Sequence, residues 1–213
     1  MKSFLKKTYN LLFVNLPTLY NSIRSGIPID STHRIVGKIR LIKKGWLLRI
    51  LTKTANGTLT IGNYFKCNNK VTSNSIGLIQ PCVFNIATAG AEIVIGNNVG
   101  ISGSTINATK SIKIGNNVLI GSGCIITDTD SHPINWQDRI NDNNEKTTSS
   151  PIIIEDNVFI GARSIVLKGV TIGKNSVIGA GSVVTKSIPE NCIAGGNPAK
   201  VIKYPISESF VTV

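Results

Sequence analysis

Two histidines occur in this chain of 213 residues, and one of them lies among residues that could do acid–base chemistry. His132 belongs to the motif DTDSHP, in which Asp128 and Asp130 precede it. Histidine is the side chain best suited to take and return a proton near neutral pH. The two aspartates could orient and polarise the imidazole, or they could hold the local turn through their own side chains. The alternative for His132 is a solvated loop histidine. His33 matches no motif and is expected at the surface.

The sequence around this motif repeats every six residues. The repeat is strict from Ile152 to Pro189. An α-helix would scatter residues spaced by six around its axis, because six is not a multiple of 3.6. Short strands separated by sharp corners fit the interval, which predicts a parallel β-helix. The apolar residues that keep the interval are Ile154, Ile160, Val166, Ile172, Ile178 and Val184.

Looser repeats precede the strict ones. Residues 33–66 are interpreted as irregular first coils, and residues 76–126 as coils with an extra residue near Lys110. Twenty glycines and many asparagines suit the corners, since both residue types tolerate positive φ. Only 6% of the residues are aromatic, which predicts a narrow prism with Ile, Val or Leu filling its interior.

Residues 127–151 interrupt the repeat with a polar insertion that carries His132 and Trp136. Such an insertion must leave the stack as a loop, and long loops in compact domains are usually functional or disordered. The predicted organisation is therefore a basic N-terminal segment at 1–32, a β-helix at 33–190 and a tail at 191–213. One short amphipathic helix is expected at 4–13.

The chain carries a formal charge of +12. Such an excess is typical of proteins that meet phosphate, nucleic acid or an anionic surface, but no nucleic-acid-binding motif is present. A phosphate-bearing cofactor, an acidic membrane or polysaccharide, and a generally basic solvated surface remain as alternatives. No stretch reaches membrane-spanning length, and Asn15 and Pro17 break the apolar run that resembles a signal peptide. The cysteines show neither paired nor metal-ligand spacing and are expected to be reduced core residues of a cytoplasmic protein: Cys67, Cys82, Cys124 and Cys192.

Residues 58–203 resemble the hexapeptide-repeat acyltransferases of the maltose, galactoside and polysaccharide O-acetyltransferase type. The motifs that carry the resemblance are IGNNVLIGSGCIITDTDSHP at 114–133, IGARSIVLKGVTIGKNSVIGAGSVVTKSIP at 160–189 and AGGNPAKVIK at 194–203. The resemblance implies an all-β, left-handed parallel β-helix, an exception to the right-handed crossover rule. It also implies a homotrimer that binds acetyl-CoA between neighbouring subunits, without a metal.

The same resemblance assigns roles to residues. His132 matches the general base that deprotonates the acceptor hydroxyl as it attacks the thioester carbonyl. Trp136 could wall the acceptor site, or it could pack the loop against a neighbouring subunit. Where the family often has serine this chain has Ala162, so only the backbone contact with the pantetheine arm carries over. The tail is expected to complete the coenzyme site. The residues matched to coenzyme positions are Ala162, Ala180, Thr185, Lys186 and Lys203.

Of two other functions of such a solenoid, a zinc enzyme is excluded and a non-catalytic scaffold is the less favoured alternative. A zinc site of the γ-type carbonic anhydrases needs three histidines, which the chain does not have. A scaffold or ice-binding surface would show an outward threonine array and would need no histidine loop. The expected activity is acetyl transfer from acetyl-CoA to a sugar hydroxyl of a surface polysaccharide or lipopolysaccharide precursor. That reaction would occur in the cytoplasm, with peripheral contact to the inner membrane leaflet. A small soluble sugar, a nucleotide-sugar or a xenobiotic, acylated on oxygen or nitrogen, remains the alternative acceptor.

Overall fold

The computed structural model describes residues 34–36, 40–43 and 57–204, and short strands make up most of its regular secondary structure. The helix expected at 4–13 lies outside the described residues, as do the whole N-terminal segment at 1–32, His33 and the end of the tail. The single α-helix of the described part, α1 (Trp136–Ile140), lies in the inserted loop, as does a 3₁₀ turn at Asn144–Lys146; a second 3₁₀ turn is Val71–Ser73. In this part of the chain no helix has the length and apolar character that a bilayer crossing requires. The strands are β1 (Arg34–Val36), β2 (Arg40–Lys43), β3 (Thr58–Ile61), β4 (Lys66–Asn68), β5 (Val83–Ile86), β6 (Glu92–Ile95), β7 (Gly100–Ser102), β8 (Thr105–Ala108), β9 (Ser111–Ile114), β10 (Leu119–Ser122), β11 (Ile125–Thr127), β12 (Ile152–Ile154), β13 (Phe159–Ile160), β14 (Ile165–Val166), β15 (Thr171–Ile172), β16 (Val177–Ile178), β17 (Val183–Val184), β18 (Ile193–Gly195) and β19 (Lys200–Lys203).

Three sheets form the faces of a prism. Sheet A has the order β1-β4-β7-β10-β13-β16-β18-β19, sheet B the order β17-β14-β11-β8-β5-β2, and sheet C the order β15-β12-β9-β6-β3. Successive strands therefore pass from A to B to C, and each pairs in parallel with the strand one coil away, except that β19 runs antiparallel to β18. This arrangement confirms the predicted left-handed parallel β-helix. We name its edges the A–B, B–C and C–A corners, after the sheets that each edge joins.

The six-residue ladder forms the core of the prism. The ladder residue of each strand stands in register with that of the next coil, as in the pairs Ile154↔Ile172 and Ile160↔Ile178. Each of the six predicted residues is at most 1% exposed, which confirms that part of the prediction. Full burial of such a side chain contributes about 1.5–3 kcal/mol. The regular stack therefore stabilises the coils that follow the insertion.

The first described coils hold aromatic side chains in their interior. Phe65 and Phe84 are fully buried, and their rings meet edge to face with centroids 6.3 Å apart. The expectation of only aliphatic side chains inside was wrong here, because the same core holds the small side chains Cys67 and Cys82. All four cysteines are free and buried, as expected. Burial raises the pKa of the Cys124 thiol.

The C–A corner is built on asparagines in the left-handed conformation. Five of them have φ between 56° and 61°. The side chains form a ladder along the prism, since each Nδ2 donates to the Oδ1 of the next coil at 2.8–3.0 Å. Asparagine tolerates this conformation better than other residues with a β-carbon. The abundance of asparagine is therefore explained by the corners, as predicted. The ladder consists of Asn98, Asn117, Asn157, Asn175 and Asn191.

Candidate active site

The inserted loop leaves the prism at the B–C corner, between β11 and β12. Its two ends pair as a short antiparallel ribbon through the bridge Thr129↔Ser149. The amide of Asp130 donates to the carbonyl of Thr148 at 3.1 Å, and the Ser150 amide donates to the Asp128 carbonyl at 2.9 Å. This pairing fixes where the loop begins and ends on the stack, so the residues that follow Asp130 start from a defined position.

Asp128 is fully buried and faces backbone amides of the preceding coil. Its Oδ1 accepts from the amide of Thr109 at 2.7 Å, and its Oδ2 accepts from the amides of Lys110 at 2.7 Å and Ser111 at 2.9 Å. Three amides surround the carboxylate, and no described bond joins it to His132. Of the two alternatives for Asp128, the geometry favours the one in which it holds the turn.

Asp130 is tied to the next coil instead of to the imidazole. Its Oδ2 accepts from the Lys168 ammonium and from the Thr148 hydroxyl, each at 2.5 Å. The hydrogen bond from Lys168 lowers the pKa of the Asp130 carboxyl below its ordinary value, and the hydrogen bond from Thr148 lowers it by a smaller amount. Asp130 therefore anchors the loop to the stack and remains ionised to a lower pH than an isolated aspartate.

His132 is exposed, and no hydrogen bond of its imidazole occurs within residues 57–204. The backbone around it is held on both sides. Ser131 adopts the left-handed conformation, with φ 65°. Downstream, Pro133 is buried, and the Arg139 guanidinium donates to the carbonyls of Pro133 at 2.8 Å and Ile134 at 2.5 Å. The histidine thus presents an unbonded ring from a segment whose flanking backbone is hydrogen-bonded.

Helix α1 carries apolar side chains outward from the loop. Asn135 caps the helix, accepting from the Gln137 amide at 3.0 Å. Trp136 is 60% exposed, and its neighbours Ile134 and Ile140 are more than 70% exposed. Within one chain, Trp136 is therefore not packed against the coils. Its two predicted roles, lining an acceptor site and packing on a neighbouring subunit, both require a partner beyond the single chain.

The residues matched to the coenzyme arm divide between two corners. Ala162 and Ala180 lie at the A–B corner, where they follow β13 and β16 of sheet A. Thr185 and Lys186 lie at the B–C corner, where they follow β17 of sheet B. A strand of sheet B runs between the two sets, so a single chain presents them at opposite edges of one face. His132 shares the B–C corner with the second set.

The tail returns along sheet A as the antiparallel strand β19. Lys203 pairs with Ile193, toward the C–A corner. Lys200 pairs with Gly195, at the A–B corner end of the strand where Ala180 lies one coil earlier. Lys203 was predicted to meet the coenzyme and Lys200 was not, although both belong to the motif AGGNPAKVIK. The reversal of the chain after Gly195 places Lys200 nearer to the alanine corner.

A second loop at 69–82 flanks the A–B corner and was not found from the sequence. Its Gly77 carbonyl accepts from the Ser122 hydroxyl at 2.7 Å, and Ile79 beside it is 75% exposed. A β-carbon added to Gly123 would lie 3.6 Å from Ile79 and 3.7 Å from the stem of Arg163. Arg163 has φ 61°, which is uncommon for such a residue. The signal in the sequence was the missing repeat between Phe65 and Phe84.

Among the described residues, no group of three or more His, Cys, Asp and Glu side chains is placed to hold a metal ion. The described residues offer instead an exposed, unbonded histidine, two corners that match coenzyme positions and several lysines. Histidine is suited to acid–base chemistry and lysine to binding phosphate.

Comparisons with known proteins support the resemblance to hexapeptide-repeat acyltransferases. A family profile described as the hexapeptide repeat of succinyl-transferase matches residues 151–186. The chain carries the hexapeptide repeat. This chain is 44% identical over 126 residues to the galactoside O-acetyltransferase of Escherichia coli K12, and the match covers 59% of each protein. It is 36% identical to the polysialic acid O-acetyltransferase of Escherichia coli O1:K1, covering 57% of this chain and 39% of that one. The resemblance to hexapeptide-repeat acyltransferases is thereby confirmed.

A solved structure has a similar fold over most of this chain. The chain is similar to AntD, an N-acyltransferase from Bacillus cereus solved with dTDP and 3-hydroxybutyryl-CoA, with a TM-score of 0.63 and 17% identity. The match covers 88% of both chains, and at this identity it shows the fold alone. By contrast, the sequence matches span between 39% and 59% of the length of the two O-acetyltransferases.

Proposed function

We propose that the protein is an acetyl-CoA-dependent O-acetyltransferase that acts on a sugar hydroxyl, with His132 as the general base. One observation carries the proposal: His132 is exposed and unbonded on a loop segment whose neighbouring residues are held. The similarity to a galactoside and a polysialic acid O-acetyltransferase supports oxygen as the atom that receives the acetyl group.

The chemistry requires one proton to move twice. The imidazole of His132 takes the proton of the acceptor hydroxyl while that oxygen forms a bond to the thioester carbonyl carbon. The carbon–sulfur bond then breaks, and the imidazolium returns the proton to the departing thiolate. The products are an acetyl ester of the sugar and free coenzyme A thiol. A general base contributes about 10²–10⁴-fold to such a reaction.

We propose that the active enzyme is a homotrimer, because the two sets of coenzyme-matched residues lie at different corners of one prism. In a trimer, the A–B corner of one chain can face the B–C corner of its neighbour. The outer faces supply apolar surface for such contacts. Leu119 and Phe159 of sheet A stand in register and are 55% and 44% exposed, and Ile125 of sheet B is 42% exposed.

The proposed acceptor is a hydroxyl on a surface polysaccharide or its lipid-linked precursor, acetylated in the cytoplasm. The charge of +12 and the basic segment at 1–32 support an enzyme held at the inner membrane leaflet. Each basic residue near an anionic leaflet contributes about 1 kcal/mol to membrane binding. The alternative is a soluble acceptor, with the positive charge serving coenzyme binding alone.

The test uses the purified full chain, acetyl-CoA and a panel of acceptors: a galactoside, polysialic acid and lipopolysaccharide fragments. His132→Ala is expected to lower thiol release by about 10²–10⁴-fold while coenzyme binding, measured by calorimetry, stays unchanged. His33→Ala is the matched control and should behave as the wild type. An alanine variant at position 132 that keeps more than half the activity would remove His132 from the mechanism. Turnover of the galactoside without turnover of either polysaccharide would favour the soluble acceptor.

A further inference from the structure

Lys168 joins the two ends of the inserted loop to the stack. It lies at the B–C corner one coil after the loop, directly beyond β14. Its ammonium donates to Asp130 Oδ2 at 2.5 Å and to Thr148 Oγ1 at 2.6 Å, and these two loop residues also bond to each other at 2.5 Å. The three side chains therefore form a closed triangle, which we name the loop clamp.

The loop clamp differs from the other lysine ion pairs of the described coils. Lys113 pairs with Glu92 at 3.2 Å, and the lysine side chain is 57% exposed. Lys168 and Asp130 are only 26% and 25% exposed, and each makes a further bond to Thr148. Exposed pairs contribute little because water screens them, whereas charge-assisted bonds in a shared network contribute more. The clamp is therefore a better anchor than a surface pair.

Asp130 of the loop clamp lies two residues upstream of the proposed base, His132. Ser131 lies between Asp130 and His132, and its amide donates to Thr129 Oγ1 at 3.1 Å. The backbone that leads from the clamped ribbon to His132 is therefore itself hydrogen-bonded. The imidazole itself has no bonded partner within residues 57–204. The place of the ring is accordingly set by the anchors of its segment, and Lys168 is the stack residue whose side chain bonds that segment at Asp130.

We propose that Lys168 is a positioning residue for the transfer reaction, holding Asp130 and Thr148 so that His132 stands where the acceptor proton is taken. The inference rests on the proposed function, in which His132 is the base. Misplacing a reacting group by about 1 Å costs on the order of 10²-fold in rate. Loss of the clamp should therefore affect turnover rather than coenzyme affinity.

The first measurement needs no substrate. Amide hydrogen exchange of the full-length chain is compared between the wild type, Lys168→Met and the control Lys113→Met. In Lys168→Met, the ribbon amides of Asp130 and Ser150 are expected to exchange about tenfold faster, because local opening governs their protection. In Lys113→Met they should exchange at the wild-type rate. Unchanged exchange in Lys168→Met would overturn the clamp.

The second measurement is steady-state kinetics with acetyl-CoA and a galactoside. Lys168→Met is expected to lower kcat about 10–100-fold and to leave KM for acetyl-CoA within about twofold. Lys168→Arg should recover most of the loss, since a guanidinium can bond both partners. Asp130→Asn should lose as much as Lys168→Met, and the double variant no more than either, because the two residues act through one contact.

Two kinetic outcomes would overturn the positioning role: wild-type kcat in Lys168→Met, or additive losses in the double variant. Failure of the proposed function is seen separately. If His132→Ala retained full activity, the base assignment would be wrong, while the exchange measurement would still decide whether Lys168 holds the loop.

Discussion

Replacing Asp128 is expected to destabilise the coils beneath the loop rather than to remove a catalytic group. The carboxylate is fully buried and accepts amide hydrogen bonds from Thr109, Lys110 and Ser111 at 2.7–2.9 Å. Its own carbonyl also accepts from the Ser150 amide, at the point where the chain rejoins the prism. Asp128→Ala would leave three amides of the preceding coil without their acceptor.

The size of the effect follows from these three bonds. A hydrogen bond to a charged group contributes about 1.5–3 kcal/mol. Lys110 is exposed, so its amide can regain water, and two lost bonds set the expected cost at about 3–6 kcal/mol. For a chain of this size, 1 kcal/mol corresponds to about 2–4 °C, so Asp128→Ala should lower Tm by roughly 10 °C. Asp128→Asn keeps one acceptor oxygen but turns an NH₂ group toward an amide donor, and should lower Tm by about half as much.

The assay combines thermal unfolding, followed by circular dichroism, with kinetics well below Tm. Both Asp128 variants are expected to keep kcat within about threefold of the wild type once folded. Asp156→Ala is the matched control, because Asp156 is exposed and, among the described residues, its Oδ1 accepts from Asn116 alone, from the backbone amide at 2.6 Å and from Nδ2 at 3.2 Å. The Tm of this variant should change by less than about 4 °C. A hundredfold loss of kcat in Asp128→Asn with an unchanged Tm would refute the reasoning and return Asp128 to the catalytic group.

Two further predictions concern assembly and coenzyme binding. Light scattering should find a trimer of the 22.8 kDa chain, because the matched corners of one chain cannot face each other; an active monomer at assay concentration would contradict this. Lys186→Ala and Lys203→Ala should raise KM for acetyl-CoA by several-fold with kcat less affected, because a lysine that meets a remote phosphate does not touch the reacting carbon. If the wild type used dephospho-CoA substrates as well as acetyl-CoA, the assignment of Lys203 to the phosphates would be wrong.

The sequence predicted the stack well because a six-residue repeat encodes its own register. Each strand from β13 to β17 buries one branched aliphatic residue, so the spacing determines which strand side chains point inward. The position of the insertion followed for the same reason, since 127–151 is where the spacing fails. The interior at Phe65 and Phe84 was missed because the first coils are irregular and their volume depends on small neighbours such as Cys67.

The contacts of the candidate site depend on which corner a residue occupies, and spacing does not reveal that. Lys168 follows Asp130 by 38 residues, and only the coil geometry shows that the two meet. From the sequence, Asp128 could either orient the imidazole or hold the local turn. The three amides of the preceding coil that bond its carboxylate favour the second role. The loop at 69–82 was not predicted, because an irregular stretch of the repeat fits a poorly formed coil as well as a loop that leaves the prism.

The inserted loop has a small cost in chain entropy. Phe159 pairs with Val177 at a sequence separation of 18 residues, whereas Leu119 pairs with Phe159 at a separation of 40, because the loop lies between them. Closing the longer span costs only about 0.7 kcal/mol more, since the closure entropy grows as the logarithm of the length. A solenoid can therefore exchange one loop for another of different length and chemistry at this corner while the coils above and below stay in register. The acceptor that such a protein recognises can change without a change in the prism that carries it.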